Sequence, residues 1–408
     1  MADSDTDSAQ PMTLSRVVLK SGRDKSVRGR HPRLFAGAIK EIVGRPKDGN
    51  VVDVSTNNDE WLARGIINQQ AQIAVRLLTW QQDETVDDVF WKQRVHRSVE
   101  LRQCDPLLRA TNARRLIFGE SDGLPGVIAD DYAGYIVLQL STLAAVNARA
   151  AIVAALVECA SPRFIFERSD EERMRYEHIK ESSGVLYGEA PTEPVVIIEG
   201  GLSFLVDVPH GQKTGFYLDQ RENRSRLARY CAGASVLNVF SYTGSFGIYA
   251  AASGALRVVN VDSSPDALRA AQANVALLGA TSCEQQYVAT DAFADLRARR
   301  AAGEQYDIVV LDPPKFAHNP EQIDRAARAY KDLNRVGLAL VKPGGLLATF
   351  SCSGVVDSAL FQKILFSAAI EAQRDVQVVE RFTQASDHPV LLSYPESEYL
   401  KGLLCRVR

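Results

Sequence analysis

The amino-acid sequence predicts an α/β protein with three consecutive parts: a small β-barrel, a strand-rich α+β block, and a mostly parallel sheet covered by helices. Residues 13–85 contain short β-like runs separated by Gly, Pro, Asn and Asp clusters. Residues 86–195 combine a long helical pattern with further strands. In residues 196–408 strands alternate with helices, which indicates a parallel sheet with helices on both faces.

The first block contains four β-like runs, and the residues before it form a tail. The runs are SRVVLK, NVVDVS, WLARGII and QIAVRLLTW. Short strands divided by turn residues are typical of a small barrel or sandwich rather than of a parallel sheet. Residues 1–12 are acidic, small and polar, so we expect a disordered tail there.

The middle block mixes helices with strands. Apolar residues recur at helical spacing from Val86 to Arg109, and a second helix is predicted from Ala144 to Val157. Between them, GVIADDYAGYIVLQL reads as a hairpin about the turn Asp131–Gly134. A strand from Arg163 to Glu167 follows. In the last block, helical segments separate the strand-like runs ASVLNVF, RVVNVD, EQQYVAT, DIVVLD, LLATFSCS and VQVVERF.

Composition favours an ordinary globular protein. The chain has 408 residues, of which 46% are hydrophobic and 24% charged. No stretch approaches the roughly 20 apolar residues of a membrane helix, and no targeting segment is recognised at the start, so we expect a cytoplasmic protein without a membrane partner. Six separated cysteines without a C-x-x-C pair argue against a disulfide framework or a structural metal site.

Charge is distributed unevenly along the chain. The formal net charge is −3, yet basic residues concentrate near the start, where only Asp24 and Glu41 oppose them. The basic residues between positions 14 and 45 are Arg16, Lys20, Arg23, Lys25, Arg28, Arg30, Arg33, Lys40 and Arg45. Such a local patch is the footprint of a nucleic-acid-binding module, and the alternative is a solvated face.

A glycine-containing turn follows the first strand of the last block. The segment Val236–Gly247 runs from an apolar strand through the turn into a helix. Glycine lets the backbone approach a ligand closely, and the helix start presents N–H groups to it. The segment lacks the G-x-G-x-x-G pattern of dinucleotide-binding proteins, which argues against NAD.

Acidic residues end or follow the next three strands. Asp262 lies where a carboxylate can accept both hydroxyls of a ribose, and Asp291 lies where one can accept from an adenine amino group. Asp312 ends the fourth strand. The alternative interpretation is helix N-capping, because Asp is favoured immediately before a helix. Three acids in register favour a cofactor site at this edge.

This order of motifs resembles the class I S-adenosylmethionine-dependent methyltransferases over residues 196–408. The resemblance implies a Rossmann-like sheet with an antiparallel final hairpin from Val390 to Val407, and S-adenosyl-L-methionine as cofactor. The residues that it implies around the cofactor are Asn238, Phe240, Ser241, Tyr242, Thr243, Gly244, Asp262, Ser263, Asp291, Ala292 and Asp312.

The segment Asp312-Pro313-Pro314-Lys315 is a candidate site for a flat base. Two prolines fix φ and remove two N–H donors, which holds an irregular loop beside the cofactor. A base that enters this loop is able to hydrogen-bond to the Asp312 carboxylate. Among class I enzymes, Asn or Asp before Pro-Pro typically marks methylation of a nucleobase. The alternative is a purely structural turn.

Cys352 is the candidate nucleophile. The run LLATFSCS delivers it between two serines at the end of the fifth strand, beside the fourth strand in this fold. A thiolate that adds to C6 of a pyrimidine raises the electron density on C5, which then attacks the methyl group. If protonated, Asp312 assists that addition through cytosine N3. The alternative is that Cys352 is only a small buried packing residue. We accept that interpretation for the other five cysteines.

These features closely resemble the 23S rRNA cytosine-C5 methyltransferases that carry an N-terminal PUA domain. The matching islands outside the last two motifs are Arg30–Pro32, Gly119–Gly126, Gly215–Arg221, Asp387–Pro389 and Tyr399–Gly402. The resemblance implies a PUA domain over residues 13–85, a middle domain over 86–195 and a methyltransferase domain over 196–408. It also implies 23S rRNA or a large-subunit precursor as partner, and a homodimer.

The resemblance places Tyr217, Gln220 and Arg221 near the cofactor or the target base, although Arg221 is equally compatible with a structural role or a phosphate contact. Two departures from the family pattern stand out. Arg33 occupies a position where the PUA motif usually has Trp. Pro314 occupies the place of a second cysteine in other RNA cytosine-C5 enzymes, which leaves the base that removes the C5 proton unassigned.

Three other functions compete with this prediction. Uracil-C5 methylation uses the same thiolate chemistry and an Asp-Pro-Pro loop. Methylation of an exocyclic amine needs no nucleophile and would leave Cys352 as a packing residue. A non-catalytic RNA-binding factor for ribosome assembly would retain the fold without activity. Replacement of Cys352 by Ala separates C5 chemistry from amine chemistry.

Overall fold

The computed structural model describes residues 14–168, 171–180, 183–208 and 214–408. The predicted tail, residues 1–12, lies outside the described residues. The described chain forms four sheets, with six, five, two and seven strands. This architecture confirms the predicted α/β fold class.

The first sheet has six strands in the order β2-β6-β5-β4-β1-β3. Its elements are β1 (Ser15–Leu19), α1 (Lys25–Arg28), β2 (Arg33–Phe35), β3 (Ile39–Val43), β4 (Val51–Ser55), β5 (Trp61–Ile67) and β6 (Ile73–Thr79). The four predicted strands are β1, β4, β5 and β6. The inward-facing apolar side chains of these strands, such as Val17, Val54 and Val75, form a separate core.

The five-stranded sheet has the order β11-β10-β9-β8-β7. Its elements are α2 (Asp88–Cys104), β7 (Ala113–Phe118), β8 (Val127–Tyr132), β9 (Tyr135–Leu140), α3 (Leu143–Asn147), α4 (Arg149–Ala160), β10 (Phe164–Arg168), α5 (Glu171–Tyr176) and β11 (Ser183–Gly188). The predicted hairpin is confirmed, because β8 and β9 meet at Ala133 and Gly134, both with positive φ.

A short hairpin and one helix lead into the last sheet. They are β12 (Val195–Glu199), β13 (Leu202–Val206) and α6 (Arg221–Ala228). The elements that follow are β14 (Ser235–Val239), α7 (Ser245–Ala252), β15 (Arg257–Asp262), α8 (Pro265–Ala276), β16 (Glu284–Ala289), α9 (Ala292–Ala301), β17 (Tyr306–Leu311), α10 (Ile323–Leu340), β18 (Val341–Ser351), α11 (Ser358–Ala372), β19 (Val376–Thr383) and β20 (Lys401–Val407).

The seven strands of this sheet lie in the order β16-β15-β14-β17-β18-β20-β19, and all are parallel except β20. One face packs on α9, α10 and α11, and the other packs on α6 and α7. Chain order reverses at β14, whose neighbours are β15 and β17. The carboxyl ends of the parallel strands meet at this point, which is where open α/β sheets bind ligands.

The predicted final hairpin is wrong in its bounds. Strand β20 pairs with β19 and β18, and residues 384–400 form an irregular connection instead of a strand. Within that connection, Gln384 Nε2 donates to the carbonyl oxygens of His388 and Ser397 at 2.7 and 3.0 Å. These side-chain bonds satisfy carbonyls that a strand would pair with a neighbouring strand. Pro389 and Pro395 lack N–H donors, which also disfavours a strand here.

No helix in the described ranges is long and apolar enough to cross a membrane.

Candidate active site

The turn after β14 has a strained backbone. Phe240 and Tyr242 adopt φ of +59° and +47°, and Gly244 follows with φ of +77°. Positive φ is costly for bulky residues and is found where the surrounding structure demands it. The Ser241 N–H donates to the carbonyl of Val261 at 3.0 Å, and the Gly244 N–H donates to Ser241 at 2.8 Å. These bonds fix the conformation of the turn at the edge of the sheet.

Asp262 is oriented by two backbone donors. Its Oδ2 accepts from the Tyr242 N–H at 2.8 Å, and its Oδ1 accepts from the Ser264 N–H at 2.9 Å. The carboxylate thereby joins the end of β15 to the turn after β14. A carboxylate has about four acceptor sites in total, so capacity for further donors is left at this half-buried position. Ser263, the next residue, is exposed.

Asp291 acts as the N-cap of α9, because its Oδ1 accepts from the Ala294 N–H at 2.9 Å. The alternative interpretation of Asp291 as a helix N-cap therefore agrees with its hydrogen bond in this structure. Asp291 is also exposed at the carboxyl edge beyond β16, and Ala292 beside it is buried. A cap uses one carboxylate oxygen, so it is compatible with a ligand contact through the other.

Asn238 lies beneath the turn. It is buried, and its Nδ2 donates to Asn260 Oδ1 across the β14–β15 pair at 2.9 Å. A Cβ at Gly247 would lie 2.6 Å from the same Asn260 oxygen, and one at Gly244 would lie 2.9 Å from the Cβ of Ala271. The two glycines therefore let α7 start close above the strands. Asn238 supports the turn in this arrangement.

The turn carries polar atoms whose partners are missing among the described residues. Ser241 Oγ and Thr243 Oγ1 are both buried without a hydrogen-bond partner there. Buried hydroxyl groups are costly to leave unpaired, so such atoms indicate a polar ligand. S-Adenosylmethionine carries amino, carboxylate and hydroxyl groups. The unpaired hydroxyls, the oriented Asp262 and the glycine start of α7 fit a ligand of this kind.

Asp312 follows β17 and is held by a side-chain relay. Gln220 Nε2 donates to Asp312 Oδ2 at 3.0 Å, and Gln220 Oε1 accepts from Asn223 Nδ2 at 2.7 Å. Asn223 Nδ2 also donates to the carbonyl of Thr383 at 2.9 Å. Because a backbone carbonyl only accepts, it determines which way the Asn223 amide faces. That orientation in turn makes Gln220 present its NH₂ group to Asp312. In the next turn of chain Pro313 is buried, whereas Pro314 and Lys315 are exposed.

Tyr217 joins the cofactor turn to the Asp312 loop. Its ring lies edge-on to Tyr242 with the ring centroids 5.4 Å apart, and the Tyr242 hydroxyl donates to the carbonyl of Gly215 at 3.2 Å. Burial raises the pKa of the Tyr217 hydroxyl, and the charges of Asp312 and Cys352 contribute in the same direction. Tyr217 therefore lies within electrostatic range of both candidate catalytic residues.

Arg221 bonds to the five-stranded sheet and to the connection between β19 and β20. It is buried, and its Nη2 donates to the carbonyl of Ala113 at 2.8 Å and to Asp387 Oδ2 at 3.1 Å. Burial alone would raise the pKa of Asp387, but His388 and Arg221 outweigh that effect and hold it far below its usual range. These contacts favour the structural alternative for Arg221.

Cys352 is half-buried just beyond the end of β18, and both of its neighbours are clamped. Ser351 Oγ donates to the Tyr330 hydroxyl at 3.0 Å, and that hydroxyl lies 3.1 Å from Ser353 Oγ. The Ala317 N–H donates to Ser353 Oγ at 3.3 Å, which ties the cysteine loop to the loop after Asp312. The buried Tyr330 thus holds the two loops of the site side by side.

The basic segment near the start is partly neutralised. Arg28 pairs with Asp24 and Glu60, and Arg16 lies 3.0 Å from Asp59. Arg33 turns inward instead of facing solvent. Its Nη2 lies 2.6 Å from Glu120, and its guanidinium lies 4.5 Å from the ring centroid of Tyr394. Arg33 therefore connects the first sheet to the rest of the molecule.

Sequence reasoning missed three residues that support Asp312 and Cys352. They are Asn223, Tyr330 and Lys401. Lys401 is buried, and its Nζ donates to the carbonyls of Ser353 and Val356 at 2.7 and 2.5 Å. Burial lowers the pKa of Lys401 to about 8, while Cys352 acts in the opposite direction. Two signals for Lys401 were available in the sequence: it opens a strand otherwise composed largely of apolar residues, and it lies in the matching island Tyr399–Gly402.

No cluster of three or more His, Cys, Asp or Glu side chains suited to a metal ion occurs among the residues that the structure describes.

Comparisons with known proteins agree with this arrangement. A family model described as S-adenosylmethionine-dependent methyltransferase matches residues 146–406, and a PUA-like domain model matches residues 17–80. A protein of Aeromonas salmonicida named ribosomal RNA large subunit methyltransferase I is 46% identical over 394 residues, which are 96% of this chain and 99% of that protein. The protein of the same name from Erwinia tasmaniensis is 44% identical over 392 residues, again 96% and 99%.

Two solved structures share the fold. The crystal structure of the methyltransferase SMU.776 complexed with SAH matches with a TM-score of 0.84 and 24% identity, covering 96% of this chain and 99% of that one. A SAM-dependent methyltransferase from Streptococcus mutans matches with a TM-score of 0.82, 23% identity and the same coverage. The family match and the full-length relatives together show that the chain belongs to the S-adenosylmethionine-dependent methyltransferase family, alongside the ribosomal RNA large subunit methyltransferase I proteins.

Proposed function

We propose that this enzyme transfers a methyl group to C5 of a cytosine in 23S rRNA through a covalent bond between Cys352 and C6 of the base. The observation that carries the proposal is the position of Cys352. It is half-buried beside the Asp312 loop, and Tyr330 holds the serines on both sides of it. Methylation of an exocyclic amine would need neither a thiol at this edge nor a clamp around it.

The proposed reaction begins and ends with Cys352 as a thiolate that is not bonded to the base. The Cys352 sulfur forms a bond to C6, and the electrons of the C5–C6 double bond move towards C5. C5 forms a bond to the methyl group that S-adenosylmethionine would supply as an electrophile, and the electrons of the broken sulfur–methyl bond would leave with S-adenosylhomocysteine. A base then removes the C5 proton, the electrons of the C–H bond restore the double bond, and the C6–S bond breaks to return the thiolate. The net change at the base is exchange of a proton for a methyl group.

Asp312 is proposed to hold the target base. Gln220 fixes the orientation of its carboxyl group, and the Ala317 N–H ties the loop after Asp312 to Ser353 beside Cys352. We assign Pro313, Pro314 and Lys315 to the walls of the base pocket, because they continue the chain directly from Asp312. Tyr217 completes the pocket from the opposite side, where it contacts Tyr242.

The cofactor is assigned to the turn after β14 and the neighbouring strand ends. Ser241, Thr243 and the N–H groups of the turn would hold the amino-acid part of the ligand, and Asp262 would accept from the ribose. Asp291 and Ala292 would border the adenine. The unpaired hydroxyls of Ser241 and Thr243 support this assignment, and Asn238 is assigned to the support of the turn.

The RNA is proposed to be 23S rRNA, free or within a large-subunit precursor, in the cytoplasm. The names of the full-length relatives support a large-subunit ribosomal RNA substrate. We assign residues 13–85 to an RNA-binding PUA domain, 86–195 to a middle domain and 196–408 to the methyltransferase domain. A homodimer is part of the same proposal.

Transfer of labelled methyl groups to protein-free 23S rRNA tests the proposal. Digestion of the RNA and mass spectrometry of the nucleosides should identify 5-methylcytidine with the wild-type enzyme and none with Cys352→Ala. Cys104→Ala, which alters an exposed cysteine on α2, is the matched control and should remain active. A methylated uridine or a methylated amine would replace the proposed product, and activity in Cys352→Ala would refute the covalent route. Absence of transfer to both RNA and ribosomal particles would favour a binding factor.

A further inference from the structure

Lys401 is hydrogen-bonded to the loop that follows the candidate nucleophile. Strands β18 and β20 are antiparallel, and their register places Lys401 opposite Ser351, the residue before Cys352. The Lys401 side chain is buried, and its Nζ donates to the carbonyls of Ser353 and Val356, which both follow Cys352 in the same loop. The ammonium group therefore lies beneath the loop that begins at Cys352.

This ammonium group has no carboxylate partner within ion-pair distance among the described residues. Burial of a charge is costly unless an opposite charge compensates it, and two carbonyl oxygens supply only partial charges. The titratable groups whose charges act on Lys401 are Cys352, Glu398, Asp357 and Lys315, and those that face Cys352 also include Tyr217, Tyr330 and Tyr399. Among the groups that favour the charged form of Lys401, Cys352 makes the largest contribution.

We propose that Lys401 is a positioning residue for Cys352: its buried ammonium group stabilises the cysteine as a thiolate and holds the loop that presents the sulfur to the base. This inference rests on the proposed function, in which Cys352 is the nucleophile. A thiol beside a lysine ionises more readily, because the positive charge favours the anion. Lys315, which is exposed, is screened by water and salt far more than Lys401 is.

Alkylation of Cys352 as a function of pH tests this proposal without any methyl transfer. Iodoacetamide reacts with the thiolate, so the rate of labelling of the Cys352 peptide, followed by mass spectrometry, reports the fraction ionised. We expect Lys401→Met to move the midpoint of the profile upward by about one pH unit or more, which lowers the rate near neutral pH about tenfold. Lys401→Arg should keep the midpoint close to that of the wild type, because it retains the charge.

The control is Lys342→Met, which removes a lysine from the other end of β18, where it pairs with Asp307. Its Cys352 profile should match that of the wild type. Binding of S-adenosylmethionine by each variant verifies that the methyltransferase domain is folded. A folded Lys401→Met variant with an unchanged midpoint would overturn the proposal, as would a shift in Lys401→Arg as large as that in Lys401→Met.

A reciprocal measurement covers the case in which Lys401→Met does not fold. Because the interaction between two charges is mutual, removal of the sulfur should make Lys401 easier to deprotonate. In protein with ¹³C-labelled lysine, the NMR titration midpoint of Lys401 should fall in Cys352→Ala relative to wild type. An identical midpoint in the two proteins would refute the coupling. Either result is independent of which base the enzyme methylates.

Discussion

Single side chains determine the orientation of the groups in the site. The amide of Asn223 faces the carbonyl of Thr383, and this choice decides which end of Gln220 reaches Asp312. A carboxylate that meets an amide NH₂ is held in one direction, whereas one that meets an amide oxygen is repelled. The chemistry assigned to Asp312 therefore depends on a residue two hydrogen bonds away.

Replacement of Asn223 by Ala should slow the reaction without weakening cofactor binding. Loss of the relay costs about 1–3 kcal/mol of hydrogen bonding, so we expect kcat/KM for RNA to fall roughly 5- to 150-fold. Steady-state kinetics and calorimetric binding of S-adenosylmethionine measure the two quantities. Asn319→Ala, at an exposed asparagine, is the control. Unchanged kinetics in a folded Asn223→Ala protein would show that Gln220 does not need this support.

Sequence reasoning reached Asp312 and Cys352 because each ends a recognisable strand, and adjacent parallel strands end at one edge. It did not reach Asn223 or Lys401. The register of β18 with β20 brings Lys401 to the Cys352 loop. Asn223 reaches Asp312 through Gln220, and its amide is oriented by the carbonyl of Thr383, which lies 160 positions along the chain. Contacts of this kind depend on tertiary pairing, and no local pattern in the sequence encodes it.

At the level of elements, the start of α7 is the most constrained feature. Gly244 takes a positive φ, and a Cβ there would lie only 2.9 Å from the Cβ of Ala271 on α8. The helix is thereby able to begin directly above β14 and β15, with its first N–H groups at the edge where the cofactor is assigned. Any side chain at this position must push α7 and α8 apart or deform the turn.

Gly244→Ala should therefore weaken cofactor binding and stability together. A left-handed backbone costs about 1–2 kcal/mol for an L-residue, and displacement of the turn should reduce affinity for S-adenosylmethionine roughly tenfold. Gly279→Ala is a matched control, because its φ is +71° and no atom lies within 4 Å of the added Cβ. It should lose comparable stability and keep its affinity. Wild-type affinity in Gly244→Ala would contradict the assignment of the cofactor to this turn.

The strands and helices were predicted well where the hydrophobic periodicity and the turn residues were clear. The prediction was wrong at the final hairpin. The alternation of strands and helices from β14 to β18 follows the sequence pattern closely. The connection between β19 and β20 instead reaches 17 residues, 384–400, and it carries Gln384, Asp387 and His388 into the interior. Gln384 and His388 bond within the connection, whereas Asp387 bonds to Arg115 and Arg221 far away along the chain. The local pattern could not indicate such a network.

At the level of the whole molecule, buried ion pairs join the sheets. Asp387 accepts from the Arg115 N–H of β7 at 2.9 Å and from Arg221 at the start of α6, and its own segment follows β19. Glu120 pairs with Arg33 and Arg76 of the first sheet. The three parts of the chain are thus fixed relative to the active-site edge, and the first sheet is held beside it.

Asp387→Asn should destabilise the protein in a pH-dependent manner. Removal of one partner of a buried pair costs up to about 3–5 kcal/mol. Here it leaves Arg221 with the longer ion-pair contacts to Glu199 at 3.5 Å and Glu222 at 3.9 Å. The pKa of Asp387 is depressed in the folded state, so its contribution is present above the unfolded value of about 4 and is lost as the pH falls below it. Urea unfolding should show a larger difference from wild type above about pH 5 than below about pH 4.

Asp324→Asn, at an exposed carboxylate in the first turn of α10, is the control and should change the free energy of unfolding by less than about 0.5 kcal/mol. A loss of stability in Asp387→Asn that stayed the same below pH 4 would contradict the assigned charge interaction, and no loss at all would contradict the joining role of Asp387.

Cys352 is proposed to form a bond to C6 of a cytosine, and a substrate that prevents the release of the enzyme should trap this bond. In 23S rRNA transcribed with 5-fluorocytidine, the fluorine at C5 cannot leave as the proton does, so the methylated adduct should accumulate. With S-adenosylmethionine present, we expect a protein–RNA complex that survives denaturation, maps to the Cys352 peptide and is absent in Cys352→Ala. An enzyme that methylates ordinary 23S rRNA yet forms no such complex, or forms it at another cysteine, would refute the role of Cys352 as the nucleophile.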